Sequence, residues 1–436
     1  MANTLSAPPT PKHSFKRVAI LFSGGPAPAA NAVISTAAAC FGKAKIEAIG
    51  ILNGYKNIME YDPARPLLEG EHWIRLDSKV LHRSRNSQGI LIGTARANPG
   101  KQISSRADLD DPQKTAAMKR TYQALVDLGV DGLISIGGDD TLKTANKFKL
   151  FQEKLPSGSK QIPVVHLPKT IDNDYNGIDF TFGFFTAVQF LSTEIRNLIY
   201  DAQANHAYFV AEAMGRSAGW LAYGAAIAGE ASLVISVEDI VGDYRTEEAV
   251  TDPTTGITKN RPIMDLDRVV ARIVKTMTAR ESEGKPFGVI VLAEGLAEYL
   301  PYERLEGVPR DDHGHISISE IQLGRFFAKL ITSAYKKATG KSKKINPVML
   351  GYEARCTQPL AYDVILGSQL GVGSYRAMIE EGLNGVMVSV SGQFDLRYEP
   401  FEKLVNPENL VTLVRFIKTG SDFHRLARFL ETYVNE

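Results

Sequence analysis

The chain has 436 residues, 44% hydrophobic and 23% charged, and is long enough for two α/β domains that each bury a core. Its 50 Lys and Arg balance 49 Asp and Glu to a formal charge of +1, so no overall field would attract nucleic acid or an anionic membrane. Two distant cysteines, Cys40 and Cys356, argue against a disulfide framework and predict a reducing, cytoplasmic setting. No apolar run approaches the ~20 residues that span a bilayer. Residues 1–17 lack the apolar segment of a signal peptide, and residues 1–16 are predicted to form a disordered tail.

Apolar runs typical of strands alternate with longer stretches of helical periodicity, the pattern expected when crossover helices connect parallel strands. The predicted strands are 18–22, 132–136, 164–167, 208–211, 233–236, 287–292 and 385–390. The predicted helices are 31–40, 112–128, 183–200, 266–282, 319–337 and 362–381. The pattern therefore indicates an α/β fold built on parallel sheets.

Two stretches interrupt this alternation and are predicted to be long surface loops or hairpins inserted between core elements. They are residues 242–262, rich in Asp, Thr and Gly, and residues 296–316, which contain His313 and His315. A His-x-His pair could bind a metal ion, but no third ligand lies nearby in the sequence. A solvated loop is therefore favoured over a metal site.

The first predicted strand ends in a glycine-rich turn, Ser23-Gly24-Gly25-Pro26-Ala27-Pro28, which leads into a helix of small residues. Glycines at such a junction let backbone N–H groups approach a ligand, and a helix N-terminus favours an anion. Neither GxxxxGK[ST] nor GxGxxG occurs in the chain. Walker-type and dinucleotide-binding sites therefore lose their best sequence evidence.

Two later strands also lead into polar loops. The strand at 132–136 is followed by Gly137-Gly138-Asp139-Asp140-Thr141, which suits a site for phosphate and Mg²⁺, although a simple helix-capping turn explains this segment equally well. The strand at 164–167 is followed by Pro168-Lys169-Thr170-Ile171-Asp172-Asn173-Asp174. There one carboxylate can accept the proton of an attacking hydroxyl, the other can hold Mg²⁺, and the lysine can neutralise phosphate charge.

Two other motifs suggest different chemistry. Residues 172–177 copy the start of a calcium-binding loop, but Gly183 stands where a bidentate Glu is required. Residues 215–219 match GxSxG, the nucleophile elbow of serine hydrolases. The histidines later in the chain lie in the 296–316 stretch or, as His424, near its end, and no HGGG-type oxyanion segment is present. Both readings are therefore disfavoured.

Taken together, four segments resemble the 6-phosphofructokinase family in the order in which that family has them. They are residues 24–28, 137–140, 168–174 and 214–216. NAD kinases and lipid kinases share a loop like residues 137–140, but they lack segments like 168–174 and 214–216. The resemblance covers roughly residues 17 to 392 and implies two Rossmann-like three-layer α/β domains with an active-site cleft between them. It also implies a donor-binding domain of residues 17–184 plus 354–405 and a sugar-phosphate-binding domain of residues 185–353 plus 406–436.

The resemblance implies roles for the residues on the donor side. Asp139 corresponds to a carboxylate linked to Mg²⁺, and Arg96 to the arginine that bridges the transferring phosphoryl group, where its permanent charge suits developing negative charge. The other donor contacts that it implies are Gly24, Gly25, Asp140 and Lys169, the last with a catalytic role as well. Asp172 corresponds to the general base that takes the proton of the sugar 1-hydroxyl, flanked by Thr170 in a sugar-phosphate role and Asp174 as a metal ligand.

The resemblance also implies an acceptor side. Its members are Met214, Gly215, Arg216, Glu294, Tyr352 and Arg355. The first three correspond to a strand-to-helix sugar-phosphate site, Glu294 to a carboxylate that binds sugar hydroxyls, and the last two to a pair that grips the 6-phosphate. Taken alone, Glu294 and Tyr352 merely end apolar runs, so only their order with the other motifs favours a function.

The residue that follows Asp139 indicates which phosphoryl donor the protein uses. ATP-dependent members of the family typically have glycine there, whereas this chain has Asp140, whose carboxylate would occupy the space of the nucleotide's α-phosphate and repel it. Lys169 offers the complementary attraction for pyrophosphate, although some ATP-using members share it, and Pro26 stands where ATP-type members commonly have Asp. We therefore expect pyrophosphate as donor. An ATP-dependent enzyme and a non-catalytic regulatory subunit that binds sugar phosphates are the alternatives.

The acceptor and the assembly are the remaining expectations. Fructose 6-phosphate is the predicted acceptor, with sedoheptulose 7-phosphate left open because pocket depth depends on the inserted loops. No arginine stands near Ala207 or at Asn346, where bacterial ATP-dependent members place arginines of the sugar site, including one that reaches the neighbouring subunit. The tetramer typical of those enzymes is therefore in doubt, and a homodimer is predicted.

Overall fold

The computed structural model describes residues 5, 8–251, 256, 258–309 and 316–434. Its strands are β1 (Arg17–Ser23), β2 (Glu47–Ile51), β3 (Trp73–Arg75), β4 (Gly132–Gly137), β5 (Val164–Pro168), β6 (Tyr208–Ala213), β7 (Leu233–Ile235), β8 (Arg245–Thr251), β9 (Thr258–Met264), β10 (Gly288–Ala293), β11 (Ile345–Leu350), β12 (Val386–Ser391) and β13 (Asp395–Pro400). All seven predicted strands are confirmed. Strands β2, β3, β11 and β13 were not predicted.

The helices are α1 (Ala30–Lys43), α2 (Lys56–Met59), α3 (Ala116–Asp127), α4 (Asp139–Glu153), α5 (Phe184–Asn205), α6 (Trp220–Gly229), α7 (Leu266–Ser282), α8 (Tyr302–Leu305), α9 (Ile318–Ile321), α10 (Leu323–Thr339), α11 (Ala361–Tyr375), α12 (Phe401–Leu404) and α13 (Asp422–Leu430). The helix predicted at 319–337 is two helices, because Gln322 adopts a left-handed φ of 49° that interrupts the hydrogen-bond ladder. The helix predicted at 362–381 continues past α11 as a π-helical turn, Arg376–Glu380.

The chain folds into two compact units, each made of three segments. Unit 1 comprises Met1–Ile171, Tyr175–Thr186 and Arg355–Leu413, and unit 2 comprises Asp172–Asp174, Ala187–Ala354 and Val414–Glu436. The predicted domains place the crossings at 184, 353 and 405 instead. Residues 406–413 group with unit 1 because the Leu413 N–H donates to the Leu404 carbonyl. The donor and sugar-phosphate labels of the domains stay predictions.

Unit 1 is built on a seven-stranded sheet in the order β13-β12-β5-β4-β1-β2-β3. The five central strands run parallel, and the two edge strands are antiparallel to their neighbours. In the register of these strands, Ser23 pairs with Gly137 and Gly137 with Pro168. The three polar loops predicted from the sequence therefore leave the sheet at one edge, the carboxyl ends of β1, β4 and β5, where ligands of parallel sheets bind.

Unit 2 contains a four-stranded parallel sheet in the order β11-β6-β10-β7. Ala213 at the end of β6 pairs with Ala293 of β10 and with Leu350 of β11. The residues that follow these strands, among them Met214 and Glu294, thus start from one sheet edge. A core of buried aliphatic and aromatic side chains from α7 and α10 covers the sheet.

The inserted stretches and the terminal tail have separate outcomes. Strands β8 and β9 pair antiparallel, as expected for a hairpin in the 242–262 stretch, while residues 252–255 and 257 lie outside the described residues. The second stretch contains α8 in its described part, whereas residues 310–315, with His313 and His315, lie outside the described residues. The predicted tail is described at residues 5 and 8–16, of which 8–16 form neither helix nor strand. No helix within the described ranges is long and apolar enough to cross a membrane.

Candidate active site

The glycine turn after β1 is joined to the segment that carries Arg96. Gly24 has a φ of +90°, a left-handed conformation that glycine adopts without a side-chain penalty. Its N–H donates to the Ala95 carbonyl at 3.1 Å, and its own carbonyl accepts from the Thr94 hydroxyl at 2.6 Å. The exposed Arg96 therefore follows directly on a segment fixed against the glycine turn.

Lys169 brings a buried positive charge to this edge of unit 1. The residue is 7% exposed, and its N–H donates to the Gly137 carbonyl at 2.9 Å. A Cβ atom at the position of Gly24 or of Gly138 would lie 3.7 Å from the Lys169 Nζ. The ammonium thus lies close to both glycine turns.

A buried hydrogen-bonded pair beneath Lys169 holds the same backbone. Tyr175 donates its hydroxyl to the Gly137 carbonyl at 2.9 Å and lies 3.1 Å from the His166 Nε2. Burial lowers the pKa of His166 to about 3, so the imidazole is neutral near pH 7. The positive charge beside the Gly137 carbonyl therefore belongs to Lys169 and not to this histidine.

Two carboxylates and a lysine open helix α4. Asp139 and Asp140 occupy its first turn, and the Lys143 Nζ lies 2.6 Å from the Asp140 Oδ1 and 3.4 Å from the Asp139 Oδ2. Burial alone would lower the pKa of the Lys143 ammonium, but the two carboxylates outweigh it and raise the pKa. Lys143 is a residue that our sequence analysis missed, although its spacing of three and four residues from the aspartates is the helical signal for such a pair.

Arg355 lies against the same glycine turn. A Cβ atom at the position of Gly25 would lie 3.6 Å from the Arg355 Cζ and 3.7 Å from its Nη1. The resemblance pairs Arg355 with Tyr352 around a 6-phosphate, but the chain passes from unit 2 to unit 1 between Ala354 and Arg355. Within unit 1 the guanidinium is therefore placed beside a predicted donor loop.

In unit 2, Glu294 and Gly215 meet at the carboxyl ends of β10 and β6. Gly215 has a φ of +126°, and its N–H donates to the Glu294 Oε1 at 3.1 Å. Burial raises the pKa of the Glu294 carboxyl to about 7, and the negative charge of Asp172 adds to the shift. The Gly215 N–H and the Arg216 guanidinium act in the opposite direction. The predicted base, Asp172, thus lies close enough to the predicted sugar-binding carboxylate, Glu294, for their charges to interact.

Other acceptor-side residues start from the same edge. The Met214 N–H donates to the Leu350 carbonyl at 3.3 Å, while Tyr352, which follows Gly351, has an exposed side chain. Our sequence analysis missed Glu212, a buried carboxylate on β6 that accepts from the Gly324 N–H at 2.9 Å. Burial raises its pKa, and its charge contributes to the raised pKa of Glu294.

A family model described as phosphofructokinase matches residues 17–378 of the chain. The chain belongs to the phosphofructokinase family. It is therefore an enzyme of that family, and its two-domain α/β fold, predicted from the sequence, is confirmed.

Relatives of both donor types occur in the phosphofructokinase family. A Thermotoga maritima protein named pyrophosphate–fructose 6-phosphate 1-phosphotransferase is 32% identical over 424 residues, which cover 95% of this chain and 90% of that protein. An ATP-dependent 6-phosphofructokinase of Corynebacterium efficiens is 28% identical over 417 residues, which cover 93% and 99%. A crystal structure of a pyrophosphate-dependent phosphofructokinase from Nitrosospira multiformis matches with a TM-score of 0.66 at 17% identity, over 95% of this chain and 92% of that one, and shows the common fold.

The predicted magnesium ligands can be tested against the donor set. In the described part of the chain, no group of three or more His, Cys, Asp or Glu side chains gathers as a protein-only metal cage. Magnesium usually keeps several waters and binds one or two carboxylates together with substrate phosphates. Asp139, 53% exposed and within 3.3 Å of the Thr412 hydroxyl, is a hard oxygen ligand of that kind. The residues therefore fit a magnesium ion that binds with its phosphate ligand.

Within each unit, the phosphofructokinase fold gathers most of the predicted residues. In unit 1, Lys169 lies against Gly24 and against Gly138, which precedes Asp139, while Arg355 lies against Gly25. In unit 2, a hydrogen bond joins Gly215 and Glu294, with Asp172 and Arg216 close enough to affect the carboxyl's pKa. Thr170 belongs to unit 1, and its carbonyl accepts from the Thr181 hydroxyl at 2.7 Å. Asp172 and Asp174 belong to unit 2, so the 168–174 motif is the crossing itself.

Proposed function

We propose that the protein is a pyrophosphate-dependent 6-phosphofructokinase. It transfers a phosphoryl group from pyrophosphate to the 1-hydroxyl of fructose 6-phosphate and releases fructose 1,6-bisphosphate and phosphate. The observation that carries the choice of donor is the Asp140 carboxylate, held 2.6 Å from the Lys143 Nζ at the start of α4. The name of the Thermotoga maritima relative supports the same donor.

The donor side is suited to pyrophosphate because positively charged side chains from distant parts of the sequence lie against one short glycine turn. Lys169 and Arg355 lie against the glycines of the first turn, and each can neutralise phosphate oxygens. Arg96 adds a fork of donors that can follow the phosphoryl group as it transfers. A nucleotide would have to place its α-phosphate near the Asp140 carboxylate, which would repel it. Pyrophosphate has no third phosphate or nucleoside to place there.

The acceptor side supplies the base. Asp172 takes the proton of the 1-hydroxyl while that oxygen forms its bond to phosphorus and the bridging P–O bond of pyrophosphate breaks. The leaving phosphate carries away the electron pair of the broken bond. Met214, Gly215 and Arg216 bind the sugar phosphate. The exposed side chain of Tyr352 has the same role. Glu294 accepts hydrogen bonds from the sugar hydroxyls.

Magnesium, if bound by Asp139 and Asp174, would supply positive charge that neutralises the phosphate oxygens. The reaction exchanges a phosphoanhydride for a phosphoester without spending a nucleotide, so it runs in both directions and serves both sugar breakdown and sugar synthesis. We also propose a homodimer in the cytoplasm, because the arginines of the tetrameric bacterial sites are missing near Ala207 and at Asn346.

Purified protein assayed with magnesium, fructose 6-phosphate and either donor tests this function. We expect fructose 1,6-bisphosphate to form faster with pyrophosphate than with ATP, and phosphate to drive the reverse reaction. Equal or faster formation with ATP would contradict the donor assignment. A panel with sedoheptulose 7-phosphate and other sugar phosphates, at fixed pyrophosphate, identifies the acceptor. No turnover with either donor, despite tight sugar-phosphate binding, would instead indicate a regulatory subunit.

The raised pKa of Glu294 leads us to expect that the affinity for fructose 6-phosphate depends on pH. Because the pKa of this carboxyl is about 7, the wild type gains an acceptor for sugar hydroxyls as the pH rises through 7. We expect the KM for fructose 6-phosphate to fall over that range, and Glu294→Gln to remove this part of the pH dependence. The titration of the sugar's own phosphate is common to both proteins and cancels in the comparison.

The stability of the two proteins gives an independent check. Folding raises the pKa of Glu294 from 4.5 to about 7, so the folded state binds the proton more tightly than the unfolded state. The free energy of unfolding of the wild type therefore falls as the pH rises from 4.5 to about 7, relative to Glu294→Gln. Identical pH profiles of KM and of stability in the two proteins would contradict this account of Glu294.

A further inference from the structure

The loop that carries Asp172 and Asp174 is held by a residue near the end of the chain. Arg415 donates its backbone N–H to the Asp174 carbonyl at 2.8 Å. Its guanidinium Nη2 donates to the Asn173 carbonyl, also at 2.8 Å. One residue thus fixes two consecutive carbonyls of the Asp172–Asp174 loop, and all these residues belong to unit 2.

The conformation of Asn173 explains why this contact matters. The residue is fully buried and has a φ of +55°. A left-handed backbone is unfavourable for an L-residue, although less so for asparagine than for most others. A return to ordinary φ would rotate the peptide planes on both sides of Asn173 and change the directions of the Asp172 and Asp174 side chains. A charge-assisted hydrogen bond to the Asn173 carbonyl opposes that return.

Arg415 is itself braced by an aromatic side chain. Its Cζ lies 4.8 Å from the centroid of the Trp220 ring, and the Trp220 indole N–H donates to the Arg415 carbonyl at 2.9 Å. Trp220 begins α6 and stacks on Phe423 of α13, with ring centroids 5.2 Å apart. A planar guanidinium suits such a stack, whereas a lysine ammonium would lose the planar contact.

The segment around Arg415 is tied to unit 2 on its other side as well. The N–H of Ile417 donates to the Glu238 Oε1 at 3.0 Å, and the same buried carboxylate accepts from the Gly219 N–H at 3.1 Å. Gly219 directly precedes Trp220. The strand-to-helix turn after β6 and the C-terminal segment therefore share one buried anchor.

We infer that Arg415 is a positioning residue for the phosphoryl transfer, which orients Asp172 and Asp174 through the backbone of their loop. The inference rests on the proposed function, because it assigns the base to Asp172. It adds a residue that lies outside all four sequence motifs and more than 200 positions from the loop that it holds.

The kinetic test compares Arg415→Met, Arg415→Lys and Arg425→Met in the full chain. Arg425 is the matched control, because it is exposed on α13 with its guanidinium 6.0 Å from the Phe429 ring, and its loss removes the same charge from the same segment. We expect Arg415→Met to lower kcat about 100-fold, since small misplacements of reacting groups cost that much. The KM for fructose 6-phosphate should change less than about twofold. Arg415→Lys should lose less of the kcat than Arg415→Met. Ethylguanidinium added to Arg415→Met should restore part of the lost kcat.

Hydrogen exchange gives a readout that needs no activity. We expect the amides of a peptide spanning residues 170–178 to exchange about tenfold faster in Arg415→Met than in the wild type or in Arg425→Met. Unchanged exchange there, or an unchanged kcat with only a lower melting temperature, would overturn the inference. If Arg415→Met does not fold, Arg415→Lys makes the same comparison. A wild type without transfer activity would refute the proposed function, while the exchange data would still decide whether Arg415 holds the loop.

Discussion

Replacing Asp172 by asparagine is expected to lower kcat about 10²- to 10⁴-fold, the usual contribution of a positioned general base. Asparagine keeps the size of the side chain but cannot take the proton of the 1-hydroxyl. Binding of fructose 6-phosphate, measured by calorimetry, should change little, because the groups that grip the sugar phosphate are intact. Loss of the Asp172 charge also removes one cause of the raised pKa of Glu294, so the pH dependence of sugar binding should move to lower pH.

Asp201→Asn is the matched control for this experiment. Asp201 is exposed on α5, where its Oδ1 accepts from the Asn205 amide at 2.6 Å, and its replacement makes the same chemical change at a distance in sequence from the motif. We expect wild-type kinetics for this variant. A kcat for Asp172→Asn within tenfold of the wild type would show that another group takes the proton.

Replacing Asp140 by glycine is expected to admit ATP as a donor. Charges about 4 Å apart near a protein surface interact by roughly 1 to 4 kcal/mol, so removing the repulsion should raise kcat/KM for ATP by about 5- to 1,000-fold. Lys143 would lose its closest carboxylate and keep only Asp139, at 3.4 Å. We expect kcat/KM for pyrophosphate to fall in the same variant, because the ion pair between Lys143 and Asp140 no longer fixes the first turn of α4.

Asp140→Asn separates the two ways in which the carboxylate could exclude ATP. If charge dominates, the asparagine variant should use ATP nearly as well as the glycine variant. If size dominates, only the glycine variant should do so. Continued exclusion of ATP by both variants would contradict the assignment of donor selection to Asp140. Thermal unfolding of each variant measures how much stability is lost with the carboxylate. A negative charge at a helix N-terminus stabilises the fold by about 0.3 to 1 kcal/mol.

The sheet edges that carry the candidate site residues follow from patterns that a sequence shows. Continuous apolar runs such as β1, β4 and β5 are typical of parallel strands buried on both faces, and the carboxyl ends of neighbouring parallel strands share an edge. The loops at Gly24, Asp139 and Lys169 were therefore predictable as one cluster. The weakly apolar β11 and the short edge strand β3 carry no such pattern, because their residues are only partly buried.

The remaining features of the site depend on contacts between residues far apart in sequence. Nothing local to Arg415 indicates that its guanidinium reaches the Asn173 carbonyl, and nothing local to Gly25 indicates Arg355 as its neighbour. The break at Gln322 has the same origin, since a left-handed residue inside an otherwise helical pattern is decided by packing and not by propensity. Lys143 differs from these, because its helical spacing was visible in the sequence.

The segmented construction of unit 1 has a consequence for synthesis of the protein on the ribosome. Strand β5 ends at Pro168, but its parallel partner β12 does not begin until Val386, more than 200 residues later. Until β12 emerges, one edge of the nascent sheet is unpaired, and pairings across so large a sequence separation form slowly. We therefore expect newly made chains to depend on chaperones until translation is nearly complete, and truncated chains that stop before β12 to aggregate.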